Sequence, residues 1–276
     1  MKKRHISRAA ALLLALLLTL SLSACGSSDA AGYEVIDTLS ESGFVIAFRQ
    51  GDKLSEYVPA ALNVLSARGT ISALAAKWFG EDETTVEENA EALDAFEGIP
   101  ERDFILGFSA NAAPMAYEEN GSYTGFDIEL ARAVCELLGW NLKLQPINVA
   151  NLSSELLSGN VDAVWGGLYE GAAADGIYVT QPYMDVDFVL VARAADGYRS
   201  WRSLSGKYLS MSSEESYTQV LAENPDLESR LASVSRLASG AAGCFAELET
   251  GACDAILVDS AAARYYMNSI YIPSAE

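Results

Sequence analysis

The sequence has 276 residues and a formal net charge of −20, with 38 Asp and Glu against 18 Lys and Arg. A chain this negative repels nucleic acid and anionic lipid surfaces, so we expect neither as a direct partner. The only histidine is His5, which leaves the rest of the chain without a Ser-His-Asp or Cys-His pair and without a histidine metal ligand. We therefore expect no metal and no cofactor.

The segment 1–24 has the pattern of a secretory signal. Basic residues at positions 2 to 4 precede an apolar run over 9–22, which is shorter than the roughly 20 residues of a membrane-spanning helix. The run ends in Leu22-Ser-Ala-Cys25, which resembles the lipobox of bacterial lipoproteins. That resemblance implies cleavage before Cys25, a lipid on its sulfur and an extracytoplasmic location anchored to the bacterial membrane. An uncleaved anchor and an unlipidated secreted protein are the alternatives. The small-residue stretch 25–32 would then be a flexible tether.

The region after the tether combines strand and helix patterns with a strongly acidic run. Hydrophobic periodicity predicts strands over 33–37 and 44–48 and helices over 54–67 and 71–79. The acidic run covers 81–91, and like charges at this density favour a solvated segment. We interpret 81–101 as an acidic linker.

The centre of the chain alternates strands with helices. Strands are predicted over 104–108, 142–146 and 161–167, and helices over 127–138 and 151–158. Asn120-Gly121 predicts a turn before the first helix, and Asp127 is the predicted N-cap of that helix. Alternation of this kind predicts a parallel sheet with right-handed crossovers. Such sheets bind ligands beyond the carboxyl ends of their strands, here 109–117 and 166–169.

The last third continues with short strands and helices. Strands are predicted over 188–191, 208–211, 232–234 and 255–258, and helices over 217–223, 240–249 and 261–268. Cys135 lies on an apolar helix face and is a predicted core residue. Cys244 and Cys253 flank a helix-to-strand turn, where a disulfide is one alternative. Two free thiols are favoured, since the spacing spans a helix.

Six motifs occur in order along the chain. They are Pro114-Met-Ala-Tyr117, Gly121-Ser-Tyr-Thr-Gly-Phe-Asp127, Asn160-Val-Asp-Ala-Val-Trp-Gly166, Gln181-Pro-Tyr183, Ser203-Leu-Ser-Gly-Lys207 and Asp254-Ala-Ile-Leu-Val-Asp259. As an ordered set they resemble the extracytoplasmic solute-binding proteins of ABC importers, specifically the polar amino-acid-binding family, family 3. The resemblance implies an α/β fold of the two-lobed periplasmic-binding-protein type (type II), with a ligand cleft between the lobes. It also implies capture of an amino acid or similar small polar solute for an ABC permease, without catalysis.

The resemblance also implies a set of ligand-binding residues. They are Ser109, Asn111, Tyr117, Gly166, Gly167, Leu168, Tyr169, Ser212, Ser213, Ser216 and Asp259. Asp259 would bind the ligand ammonium, with capping of the helix 261–268 as the less favoured alternative, and the amides of 212–216 would suit an anion. Trp165 is apolar and mid-strand, and is interpreted as core.

Two departures from the family pattern bear on the ligand. The stretch 169–175 has no Arg where the family places its carboxylate ligand, and Ala112 stands where the family has an aromatic residue. A ligand carboxylate without a counter-charge is costly to bury. An amine, a short peptide or a modified amino acid therefore stays an alternative to a simple amino acid.

The order of the segments indicates a circular permutation. The family ends with a return strand, two helices and K-W-F-G, and the matching segments lie here at the front, including Gly43-Phe-Val-Ile-Ala-Phe48 and Lys77-Trp-Phe-Gly80. One lobe would cover 44–189, with 81–101 as its linker, and the other would combine 33–43 with 190–276. Hinge crossings are predicted near 43–45 and 189–191. An unrelated helical stalk over 33–80 and a domain-swapped dimer are the alternatives.

Two other function classes are compatible with this fold. A sensor or interaction protein would bind a ligand without transport. A dehydratase acting on small acids would need a general acid and a substrate-holding cation in the cleft, and the absence of the family Arg disfavours it.

Overall fold

The computed structural model describes residues 32–172 and 174–268. The signal segment, Cys25 and nearly all of the tether lie outside the described residues. The described part contains two five-stranded sheets and one three-stranded sheet. None of the helices in these ranges combines the length and the apolar character that crossing a membrane requires.

The secondary structure elements are as follows. The strands are β1 (Tyr33–Phe44), β2 (Ala47–Arg49), β3 (Asp103–Phe108), β4 (Asn111–Ala112), β5 (Ala116–Glu119), β6 (Ser122–Thr124), β7 (Asn141–Pro146), β8 (Ala163–Val164), β9 (Ile177–Val179), β10 (Met184–Arg193), β11 (Tyr208–Ser212), β12 (Ser233–Leu237) and β13 (Ala255–Asp259). The α-helices are α1 (Leu54–Ala67), α2 (Thr70–Phe79), α3 (Phe126–Leu138), α4 (Leu152–Leu157), α5 (Glu215–Ala222), α6 (Pro225–Glu228), α7 (Gly240–Thr250) and α8 (Ser260–Met267). Short 3-10 helices lie at Ala92–Ala95, Val149–Asn151, Ala194–Asp196 and Trp201–Leu204.

Sheet 1 has the strand order β1-β10-β13-β11-β12. β1 runs antiparallel to β10, with Tyr33 opposite Arg193 at one end and Phe44 opposite Met184 at the other. β10 is antiparallel to β13, whereas β11 lies parallel to both β13 and β12. Sheet 1 is therefore mixed, and its edge strand comes from the first described residues.

Sheet 2 has the strand order β7-β3-β8-β2-β9. β3 is parallel to β7 and β8, as predicted, while β2 is antiparallel to both β8 and β9. Successive residues of the entering chain face opposite sides. Ile46 and Phe48 join the larger core with α1 and α3, whereas Val45 and Ala47 join a smaller cluster with α4.

The chain passes between the two sheets at 45–46 and again at 180–183, where residues of neither segment belong to a strand. At the first passage the Val45 amide donates to the Leu168 carbonyl at 2.9 Å, and the Ile46 amide donates to the Thr180 hydroxyl at 3.0 Å. The predicted strand 44–48 is therefore divided between two sheets, because one apolar run leaves β1 and enters β2. The second passage precedes the predicted hinge at 189–191, since β10 is continuous there and belongs wholly to sheet 1.

Helix α3 begins one residue before the predicted cap. Gly125 is the N-cap, and the Asp127 amide donates to the Met115 carbonyl at 2.9 Å. The Asp127 side chain is fully buried and bonds across the fold instead. The prediction that Asp127 caps this helix is wrong, because the loop carrying Met115 satisfies the first turn.

The interior is densely aromatic. Trp165 is fully buried, as predicted, and its ring meets Tyr183 edge-on at 5.9 Å. Cys135, Cys244 and Cys253 are buried free thiols, which confirms the favoured prediction. Burial raises the pKa of Cys244 to about 12, so this thiol is unreactive near neutral pH.

Candidate ligand-binding cleft

Two cavities that share the lining residues Gly167, Tyr169 and Glu214 lie where the loops of the two sheets meet. The inner cavity has a volume of about 20 Å³, enough for one water molecule. It is lined by Phe44, Asn111, Ala112, Ala113, Met115, Gly167, Tyr169, Ser212, Glu214, Tyr217, Gly240, Ala241 and Asp259. The outer groove has a volume of about 450 Å³, which is within the range of small-molecule sites. It is lined by Asn148, Val149, Ala150, Leu152, Ser153, Gly167, Leu168, Tyr169, Glu170, Gly171, Ala172, Ser213, Glu214, Glu215, Ser216 and Gln219.

Strand ends place the polar side chains of the inner cavity. Ser212 ends β11 and Asp259 ends β13, two parallel neighbours in sheet 1. Tyr169 follows β8 of sheet 2 and reaches across to them. The cavity therefore lies at the carboxyl ends of strands from both sheets, as expected for ligand sites in such folds.

Asp259 is 6% exposed, and both oxygens of its carboxylate accept hydrogen bonds within the protein. Oδ1 accepts the Ala262 amide at 2.7 Å, which caps α8. Oδ2 accepts the hydroxyls of Tyr217 at 3.0 Å and Tyr169 at 3.1 Å. Burial raises the pKa of Asp259, and these hydrogen bonds oppose the rise. The capping role is thus realised, in a residue that also lines the cavity.

Glu214 is the second carboxylate of the inner cavity, and the sequence analysis did not single it out. It occupies the N-cap position of α5 without capping through its side chain. Within the described chain the Ser109 hydroxyl is its one hydrogen-bond donor, at a long 3.3 Å. Burial, reinforced by the Asp259 charge, raises the pKa of Glu214 to about 7 against the opposing bond from Ser109. The signal was its place in the polar run 212–216 between a strand and a helix.

A buried polar pair supports the floor of the cleft. The Tyr183 hydroxyl donates to Asp127 Oδ1 at 2.7 Å, and the Gly167 amide donates to Asp127 Oδ2 at 3.3 Å. Burial raises the pKa of Asp127 to about 7, although both hydrogen bonds oppose the rise. Gly167 has φ +70°, and a Cβ there would lie 2.6 Å from that of Ala112. Only glycine allows this close approach at the cavity wall.

The predicted site residues fall into three groups. Asn111, Gly167, Tyr169, Ser212 and Asp259 line the inner cavity, while Leu168, Ser213 and Ser216 line the outer groove. Ser109 lies behind them and contacts Glu214.

The structure places Gly166 and Tyr117 outside both linings. Gly166 packs behind the wall, where a Cβ would lie 2.7 Å from that of Phe108. Tyr117 packs edge-on against Trp78 at 6.3 Å, and its hydroxyl lies 3.3 Å from that of Tyr265. Both are therefore packing residues in this arrangement of the chain.

The lining of the two cavities is negatively charged. It contains four carboxylates, those of Glu170, Glu214, Glu215 and Asp259, and no described residue that lines either cavity is Lys, Arg or His. Within 32–172 and 174–268, no group of three or more His, Cys, Asp or Glu side chains could hold a metal ion. The arrangement can accept hydrogen bonds from a cation, but it offers no cationic side chain to an anion.

Residues 104–234 match the family described as bacterial extracellular solute-binding proteins, family 3. Among curated proteins, the chain is 28% identical to the arginine-binding extracellular protein ArtP of Bacillus subtilis over 107 residues, 38% of this chain and 42% of ArtP. The chain thus spans less than half the length of that relative.

Solved structures show the same architecture. An ABC uptake transporter substrate-binding protein from Streptococcus pneumoniae, with bound histidine, has a TM-score of 0.54 and 27% identity, covering 60% of this chain and 70% of that one. An ancestral arginine-binding protein bound to arginine has a TM-score of 0.51 and 26% identity, covering 60% of this chain and 74% of that one. The predicted α/β fold, similar to two-lobed amino-acid-binding proteins, is confirmed.

Proposed function

Because residues 104–234 belong to the family 3 bacterial extracellular solute-binding proteins, we propose that the whole chain is a receptor for a small polar solute. It captures an amino acid or similar solute outside the cytoplasm and delivers it to an ABC permease. The observation that carries this proposal is the pair of cavities between the two sheets, where strand-end loops from both sheets converge. The proposal assigns no catalytic residue and no cofactor to the protein.

The receptor closes on its ligand by a hinge. The chain crosses between the sheets at 45–46 and 180–183, and short irregular crossings of this kind can absorb the change in backbone angles. The hydroxyls of Tyr169 and Tyr217, which lie 2.9 Å apart, border the inner cavity and leave room for no more than a water molecule. A ligand larger than water therefore enters through the outer groove and displaces these side chains as the lobes open.

The chain is a circularly permuted member of its family. The segment that precedes the family match supplies β1 to sheet 1 and β2 to sheet 2, where a separate helical stalk would contribute to neither. We place one lobe at 46–180 and the other at 33–45 with 184–268, so that the boundaries coincide with the crossings. A monomer by light scattering would support this organisation, whereas a stable dimer would support the domain-swapped alternative.

The receptor is held at the membrane by a lipid on Cys25. The support is the sequence Leu22-Ser-Ala-Cys25 at the end of an apolar run. A Cys25→Ala variant would then appear in the culture medium instead of the membrane fraction. An unchanged membrane fraction would contradict the anchor.

The central test is a ligand screen. Purified protein would be screened by thermal shift against amino acids, amines and short peptides, and hits measured by calorimetry. We expect one ligand of about micromolar affinity, corresponding to roughly 8 kcal/mol. Asp259→Asn, which keeps an oxygen for the Ala262 amide, should weaken binding at least about tenfold, while Trp165→Phe should mainly lower stability. The absence of a shift with every compound would refute the proposed function.

An uptake experiment in cells distinguishes a transport function from a sensing function. If the receptor feeds a permease, deleting its gene should abolish uptake of the radiolabelled ligand. Normal uptake with an altered transcriptional response would indicate a sensor.

A further inference from the structure

We infer that the cleft selects an organic cation, an ammonium or guanidinium compound without a free carboxylate, and that Glu214 is its counter-ion. This inference rests on the proposed function, since it specifies the ligand class of the same cleft. It goes beyond a binding protein for amino acids, because it excludes the zwitterionic head that every free amino acid carries.

The charge of the cleft lining favours a cationic ligand. The cleft presents only carboxylates among its charged side chains within the described residues. Enclosing a ligand carboxylate there would leave it without a counter-charge and close to Glu214 and Asp259, which strongly disfavours its binding. Enclosing a cation instead provides charge-assisted hydrogen bonds to those carboxylates.

The two carboxylates of the inner cavity differ in how much of their hydrogen-bonding capacity the protein uses. Asp259 already accepts three hydrogen bonds, from Ala262, Tyr169 and Tyr217. Glu214 accepts one long bond to Oε1, and Oε2 has no donor among the described residues. A carboxylate with two oxygens can accept about four hydrogen bonds. Glu214 therefore has the unused capacity that a ligand ammonium would satisfy.

Glu214 lies at the N-terminus of α5. The start of α5 is the place in sheet 1's loops where free backbone amides would suit an anion. Glu214 is the N-cap residue there, but its side chain does not cap the helix; its carboxylate lines the cavity and contacts Ser109 instead. A ligand carboxylate at this point would be repelled by the Glu214 carboxylate. The start of α5 therefore favours a cationic ligand over an anionic one.

The walls of the cleft also suit a cation. The rings of Phe44 and Tyr217 flank Tyr169 at centroid distances of 5.1 and 5.9 Å. Aromatic faces attract ammonium and guanidinium groups. In the adjoining groove, amide side chains of Asn148 and Gln219 line the space that the body of the ligand would occupy.

The test compares amines with the amino acids from which they differ by one carboxylate. Calorimetry on the full chain would use agmatine against arginine, cadaverine against lysine and histamine against histidine. We expect at least one amine to bind at least about tenfold tighter than its amino acid. Glu214→Gln should weaken that amine at least about tenfold. Glu118→Gln, at an exposed position on β5, is the matched control and should leave it unchanged.

The outcomes separate this inference from the proposed function. Tighter binding of the amino acids would overturn the cation preference while leaving a solute receptor in place. Unchanged amine affinity in a folded Glu214→Gln variant would remove Glu214 as counter-ion. If no probe binds but another polar solute does, the ligand class is wrong and the receptor function stands. If nothing in the wider screen binds, both are refuted.

Discussion

Ala47 of β2 lies opposite Val164 of β8 in the antiparallel ladder of sheet 2, although the family match begins only at residue 104. The pairing puts a segment from before the match inside the sheet that carries the match. A neighbouring residue, Phe48, pairs with Ala163 and is fully buried. The described segment that precedes the match is therefore part of the core fold, because its strands β1 and β2 pair within the two larger sheets.

The first prediction is that restoring the family order preserves the fold. A chain reading 99–276 and then 33–98 breaks one peptide bond beside the exposed Gly98 and makes one new bond. Breaks at exposed loops are tolerated, so the free energy of unfolding should change by no more than about 2 kcal/mol. Denaturant unfolding measures this change. The control, a chain opened inside β2 between Ala47 and Phe48, should not fold. If the reordered chain also fails to fold, the permutation is wrong.

The second prediction concerns pH and two buried carboxyls. Burial raises the pKa values of Asp127 and Glu214 to about 7 in the folded protein. Between about pH 4 and 7 the folded state then holds protons that the unfolded chain has released. The free energy of unfolding therefore falls as pH rises through this window, by up to about 1.4 kcal/mol per pH unit for each group.

An Asp127→Asn variant isolates one of these groups. Its amide oxygen can still accept the Tyr183 hydroxyl, whose bond is 2.7 Å long. The fall in stability between pH 5 and 7 should be less steep than in the wild type, while exposed Glu118→Gln should match the wild type. Chemical denaturation at several pH values gives the slopes. Parallel curves for Asp127→Asn and wild type would contradict a raised pKa at this residue.

The third prediction compares two glycines on either side of β6, Gly121 in the turn before it and Gly125 at the start of α3. Gly125 has φ +128°, and a Cβ there would lie 2.3 Å from the Met115 carbonyl oxygen. Gly121 has φ +76° with open space around it. Gly121→Ala should cost about 1 kcal/mol for the left-handed backbone alone, whereas Gly125→Ala should cost more than about 3 kcal/mol because backbone must move. Equal losses of stability for the two variants in a thermal unfolding series would show that the backbone around Gly125 relaxes freely.

Local periodicity predicted the elements that are complete within one segment. α3 and the parallel strands β3 and β7 lie close to their predicted bounds, because apolar spacing and terminal glycines are local signals. The strand 44–48 was predicted as one unit, since an apolar run does not reveal that its partners lie in two sheets. Asp127 was assigned a cap for the same reason, because its partner Tyr183 is distant in sequence.

The cleft was predictable in outline and less so in its chemistry. The strand-end rule indicated the loop that contains Tyr169, whereas Ser212 and Asp259 were implied by the resemblance to the family. The place of Glu214 in the cavity could not be predicted from local sequence, because its burial and its contact with Ser109 depend on the other sheet. The order of the motifs, unlike any single residue, is the sequence signal for the proposed permutation.

The fourth prediction concerns Arg264 of α8 and the start of the acidic linker. The Arg264 guanidinium makes two bonds to the Glu83 carboxylate, at 2.6 and 2.9 Å, and a third to Glu81 at 2.9 Å. Arg264 and Glu83 line a surface cavity of about 330 Å³ together with Asp185 and Asp187. Burial and neighbouring carboxylates raise the pKa of Asp187. Arg264 therefore fastens the segment 81–83 to α8 and offsets the negative charge of the surrounding carboxylates.

Replacing this residue, as in Arg264→Met, keeps much of the apolar stem but removes the charge. We expect a loss of about 1–2 kcal/mol in unfolding free energy, because bidentate, partly buried pairs exceed ordinary surface pairs. The loss should be smaller in 1 M salt than in 0.01 M salt, since the screening length falls from about 30 Å to about 3 Å. Lys53→Met removes the exposed Lys53–Glu56 pair and should change stability by less than about 0.5 kcal/mol. If Arg264→Met were as stable as the wild type at low salt, the linker would not be fastened through this residue.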